Sequence, residues 1–122
     1  MSSKSRRTHS QHAKSESSVR SVRIEHLLVL ELQSLISDEA SDPSLEGVTV
    51  LAAHLAPDGG HARVAYAVVG NLEREQALGD LTSAGLRRAT PFLRARLAEQ
   101  LQLKKLPLLT FTFVGVTQGG AT

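Results

Sequence analysis

The chain of 122 residues has no cysteine and no tryptophan. Without cysteine there is no disulfide framework, no cysteine-based zinc site and no thiol nucleophile. Aromatic residues amount to 3% of the chain, being Tyr66, Phe92, Phe111 and Phe113, so the core has to be built from Leu, Val, Ile and Ala. No stretch approaches the ~20 apolar residues that cross a bilayer. Residues 1–18 contain no Leu, Ile, Val or Phe and so lack the apolar segment of a secretory signal. A cytoplasmic protein is expected, of a length that suits one domain.

Charge of one sign is scarce in some regions and concentrated in others. Residues 1–23 hold six Lys and Arg against Glu16 alone, and residues 83–122 hold six against Glu99 alone. Residues 24–82 hold ten Asp and Glu against Arg63 and Arg74. The formal net charge is only +2. Two basic ends flanking an acidic middle nevertheless make a local positive field that a polyanion would feel.

Residues 1–18 have no hydrophobic periodicity and are expected to be a disordered basic tail. From there Ile24, Leu27, Leu28, Leu32, Leu35 and Ile36 recur at helical spacing, which predicts a first helix fading by Ala40, before Asp42-Pro43. Val48–Leu55 and His61–Val69 surround Pro57-Asp58-Gly59-Gly60 and predict a β-hairpin. Asn71 is a good N-cap for a second helix, in which Gly79 and Gly85 are suited to close packing. Ala89-Thr90-Pro91 reads as a break, with Thr90 capping a third helix that Pro91 starts. After Pro107, alternating Leu109, Phe111 and Phe113 predict a last strand. The order α-β-β-α-α-β implies an α+β domain, a mixed sheet with helices packed on one face. The expected domain spans residues 19–116, followed by a short flexible C-terminus over 117–122.

Little in the chain suggests catalysis. His54 and His61 approach each other across the hairpin with Asp58 between them, but two histidines and a turn aspartate fall short of a supported metal site. No serine has a nucleophile-elbow context and no Gly-rich phosphate loop is present. No metal, no cofactor and no enzymatic activity are expected. The informative feature is basic. Arg87, Arg88, Arg94 and Arg96 straddle Ala89-Thr90-Pro91, and Lys104 and Lys105 follow the helix end. These six are the principal candidate nucleic-acid contacts, acting on phosphates, with Arg20 and Arg23 as secondary ones.

The run from Leu86 to Leu97, continuing through Leu103-Lys104-Lys105-Leu106-Pro107 to Phe111, resembles the helix-break-helix-strand signature of ribosome-binding factor A. Arg20 to Ile24 and Asp42-Pro43 resemble the ends of that family's first helix, and Val48-Thr49-Val50 with Ala62-Arg63-Val64 its hairpin. The resemblance covers about residues 19–114. It implies a single type II KH-like domain with a mixed three-stranded sheet, and a monomer. It also implies binding of the small (30S) ribosomal subunit and its 16S rRNA during late maturation and rRNA processing, so that the nucleic acid contacted is RNA. Where the family has an Ala-x-Gly interhelical kink this chain has Ala89-Thr90-Pro91, and Ser44 stands where the family usually has Arg. A DNA-binding helix-turn-helix protein and an acidic-faced protein-interaction module are the alternative readings.

Overall fold

The computed structural model describes residues 19–118. The expected basic tail and the last four residues of the chain lie outside them. Helix α1 occupies residues 19–34 and runs into a π-turn, Leu35–Glu39, closed by the Ala40 amide on the Leu35 carbonyl at 2.8 Å. The wider turn keeps both Leu35 and Ile36 in the core as the helix ends. Asp42 then caps a short 3-10 turn, Pro43–Leu45, and Gly47 at φ 83° leads into β1. A Cβ at Gly47 would stand 3.2 Å from the Val69 carbonyl, so both backbone conformation and space favour glycine there.

Strands β1, Val48–Leu55, and β2, His61–Val69, pair antiparallel; β3, Leu108–Thr117, lies parallel to β2. The order β1-β2-β3 makes the mixed three-stranded sheet that the sequence leads one to expect. The hairpin turn is closed by Gly59 N–H on the Ala56 carbonyl at 2.8 Å, with the Asp58 carboxylate accepting from Gly60. On the inner face, Ala62, Val64, Tyr66 and Val68 are all essentially inaccessible, and both helices pack there. Tyr66 tilts against Phe113 at 5.6 Å between ring centres, and its hydroxyl bonds to Thr82 and Ser83 on the second helix.

That helix, α2, is the main departure from expectation. It runs unbroken over Glu75–Leu101, with Pro91 inside it, so one helix stands where the sequence suggested two. Thr90 is not an N-cap. Its hydroxyl donates to the Leu86 carbonyl at 2.8 Å, one turn back, as a mid-helix threonine does. Pro91 deprives the Arg87 carbonyl of its helical donor, and a proline inside a helix costs about 3 kcal/mol. Leu86, Leu93 and Leu97, on both sides of it, are completely buried. At about 1.5–3 kcal/mol each, their burial outweighs the proline and keeps both halves on one core.

Both helical glycines mark close approaches, as the sequence suggests. A Cβ at Gly79 would come 2.7 Å from the Phe113 ring, and one at Gly85 would overlap the Ser44 hydroxyl. Asn71 caps a 3-10 turn, Leu72–Arg74, directly ahead of α2.

The free edge of β1 is closed by side chains of α1. Gln33 accepts from the Val50 amide at 2.7 Å and donates to the Val48 carbonyl at 3.2 Å, as a neighbouring strand would. Glu25 accepts from the Leu55 amide at 2.8 Å. An edge strand left open is a template for pairing with another chain. These contacts also fix direction, since they make α1 antiparallel to β1.

Candidate RNA-binding surface

The directions of the elements sort the charges. Because α1 runs against β1, its first residues, with Arg20 and Arg23, lie toward the hairpin end of the sheet. Helix α2 begins at the far end, where Glu75 accepts from the Val116 amide, and returns toward the hairpin. The segment after it brings Lys104 and Lys105 to the turn, where the Leu108 amide donates to the Gly60 carbonyl at 3.0 Å. A Cβ at Gly60 would meet the Lys105 Nζ at 3.2 Å, so the ammonium lies against the hairpin. Glu46, Glu73, Glu75 and Asp80 belong to the other end. Charge blocks separated in sequence thus fold into one molecule with a basic hairpin end and an acidic far end.

The predicted arginines around Pro91 do not form one free cluster. Arg88 donates through Nε and Nη2 to Asp42 Oδ2 at 3.2 and 2.8 Å. Asp42 also accepts from the amide and hydroxyl of Ser44 through Oδ1. With Arg88 the larger cause and Ser44 next, the Asp42 carboxyl is held down at about 2. Arg96 bridges Glu39 and Glu99 at 3.0 and 2.6 Å, and Glu39 in particular raises its pKa. Arg94 donates to the Leu106 carbonyl at 3.2 Å, while its Nε is buried without a partner. Arg87, Lys104, Lys105, Arg20 and Arg23 are exposed and have no ion pair among the described residues. The first four pairings hold the fold; the last five side chains are available to a ligand.

Ala89 is half-buried, Thr90 is turned back on its own helix, and Pro91 is exposed. Sequence reasoning missed Arg63, because it stands alone in an acidic stretch. In the structure it is exposed on β2 at the hairpin end, beside His54 of β1. The signal was present in the strand alternation, which places Arg63 opposite the buried Ala62 and Val64.

Residues 20–116 match the family described as ribosome-binding factor A. The chain belongs to the ribosome-binding factor A family. A ribosome-binding factor A of a Marinomonas species is 39% identical over 94 residues, covering 77% of this chain and 72% of that protein. One from Heliobacterium modesticaldum is 35% identical over 92 residues, 75% of this chain and 73% of that protein. Among solved structures, ribosome-binding factor A from Thermus thermophilus superposes with TM-score 0.65 at 28% identity, covering 76% of this chain and 93% of that one. A homology model of the Thermus factor, fitted into the cryo-EM map of a complex of the 30S subunit with ribosome-binding factor A, superposes with TM-score 0.59 at 28% identity, over 75% and 91% of the two chains. The α+β, KH-like architecture is thus shared with the family. Among the described residues no helix is long and apolar enough to cross a membrane, and no three His, Asp or Glu converge as metal ligands.

Proposed function

We propose that this chain binds the small ribosomal subunit through its 16S rRNA, as an assembly factor acting in the cytoplasm during late maturation and rRNA processing. The observation that carries the reading is the free basic hairpin end, formed by Arg20, Arg23, Lys104 and Lys105. Phosphates supply the attraction there, with Arg87 contributing from the middle of α2 and Arg88, Arg94 and Arg96 chiefly holding the helix in place. Such contacts position a protein on RNA without reading its sequence. The Thermus relative's complex with the 30S subunit supports the same partner here. The chain acts by binding and as a monomer, and no bond is made or broken on it.

The helix-turn-helix alternative drew its support from two helices meeting at a break, and α2 is continuous. Co-sedimentation of purified protein with small subunits, large subunits and duplex DNA tests the proposal. Selective retention on small subunits, weakening steeply with salt, is expected. Equal retention on all three, or binding that ignores salt, would favour a non-specific or protein-directed role instead. In cells, loss of the protein is expected to leave incompletely processed 16S rRNA.

A further inference from the structure

The three strands contain no Asp or Glu. Their only ionisable side chains besides the inward Tyr66 are His54, His61 and Arg63, and all three lie exposed. Register places them together. His54 of β1 is opposite Arg63 of β2, and Arg63 is opposite Thr110 of β3, so one row crosses the outer face of the sheet. His61, two residues from Arg63, bonds through Nε2 to the Thr110 hydroxyl at 2.6 Å, which pins its ring on the same face. The next row inward from the hairpin end is Ala52, Ala65 and Thr112, small side chains that let a broad ligand lie close to the sheet. Arg63 has no ion pair and no hydrogen bond among the described residues.

We infer that the outer face of the sheet, at its hairpin end, is a second part of the RNA-binding surface, with Arg63 its principal phosphate contact. It continues round the sheet's end from Lys104 and Lys105, so the protein grips the ribose-phosphate backbone from two sides of the hairpin. The inference rests on the small-subunit reading and names a surface which that reading did not include. The ligand it fits is a folded, helical RNA backbone. Single-stranded recognition needs aromatic platforms for splayed bases, whereas Tyr66, Phe111 and Phe113 are turned to the core side. Of the exposed aliphatic residues on this face, Val69 and Val114 lie toward the other end, away from the arginine, and Leu108 lies at the hairpin end opposite His61.

The test is a titration of the full-length chain with purified small subunits at several salt concentrations, using wild type, Arg63→Ala, Arg63→Lys, Arg63→Glu and Arg74→Ala. Arg74 is the charge-matched control, exposed at the far end of the sheet in the turn before α2. Arg63→Ala is expected to weaken binding by roughly threefold to tenfold and to flatten the slope of log affinity against log salt by about one. Arg63→Glu should weaken it further, Arg63→Lys should retain most of the affinity, and Arg74→Ala should bind like wild type. Thermal melts of all four variants should match wild type, because Arg63 holds nothing in the fold. Arg63 variants that bind like wild type overturn the inference and leave the small-subunit reading standing. An equal loss in Arg74→Ala also overturns it, by reducing the effect to net charge. A wild-type chain that does not bind the subunit at any salt would sink the underlying reading and this one with it.

Discussion

The two ends of the molecule handle charge in opposite ways. At the far end acids are engaged with the protein itself. Asp42 holds Arg88 and the Ser44 turn, Glu39 holds Arg96, and Glu75 accepts from the Val116 amide. At the hairpin end the cations of α1, of the segment after α2 and of β2 have no acidic partner among the described residues. Two acids there are bonded to backbone, Glu25 to the Leu55 amide and the exposed Asp58 to the Gly60 amide of the turn. The difference teaches that part of the acidic middle of the sequence is a structural device. Glu25, Glu39, Asp42 and Glu75 hold the chain together, whereas Glu46, Glu73 and Asp80 have no side-chain partner among the described residues, and the unpaired cations face outward. Counting arginines in sequence cannot make this distinction, because a paired and a free arginine look alike.

The comparison is broken most severely by filling the close approach between α2 and the Ser44 turn. Gly85→Val would push a branched side chain into Ser44 and Leu45. A loss at the upper end of the ~1–3 kcal/mol range for overpacking is expected in urea denaturation. Unchanged stability would mean that this end is not tightly packed. Pro91→Ala tests the continuity of α2 from the opposite direction. The helix interior should gain about 2 kcal/mol, the cost of proline less the entropy that it removes from the unfolded chain. Had Pro91 been the first residue of a new helix, the same substitution would be nearly neutral.

Asp42→Asn probes the ion pair itself. The folded carboxyl titrates at about 2 against an ordinary 3.8. Its stabilising effect is therefore complete above about pH 4 and is lost as the pH falls toward 2. The variant should be less stable than wild type at pH 7, and the gap should close in acid. A gap independent of pH over this window would assign the loss to something other than the carboxylate. The smallest effect is expected at the hairpin end of α2. Gln102, its C-cap, sits in the left-handed region at φ 51°. Gln102→Gly should raise stability by about 1 kcal/mol in the same denaturation assay, without altering RNA affinity.

The strands and the first helix were legible in the sequence because each signal was local. Alternation marked Ala62, Val64, Tyr66 and Val68, and Pro57-Asp58-Gly59-Gly60 marked the turn; β1 and β2 fall on the expected residues. Helix α1, with the π-turn that continues it, is capped at Ala40, where the helix was expected to have faded. The last strand extends to Thr117, one residue past the expected domain boundary. The break at Thr90-Pro91 was misread because the factors that keep α2 continuous through it are tertiary: the buried Leu86, Leu93 and Leu97 and the ion pairs on either side. The site was half legible. Lys104, Lys105, Arg20 and Arg23 were named from charge patterning, but their gathering at one end depends on the directions of α1 and α2. Arg63 was hidden by its acidic neighbours in sequence, which the fold carries elsewhere.

The central claim is that the free cations at the hairpin end, more than those paired near Pro91, attract the small subunit's rRNA. It is tested most directly by measuring subunit affinity across a salt series for two charge-matched variants. One replaces Arg20, Arg23, Lys104 and Lys105 with Ala; the other replaces Arg74, Arg87, Arg88 and Arg96. Each removes four positive charges, and each is first checked for folding by circular dichroism. The hairpin-end variant is predicted to flatten the slope of log affinity against log salt by roughly three, at about 0.7–0.9 per phosphate contact. The second variant should flatten it by about one, through Arg87. Equal slopes for the two folded variants, or a larger loss in the second, would contradict the account.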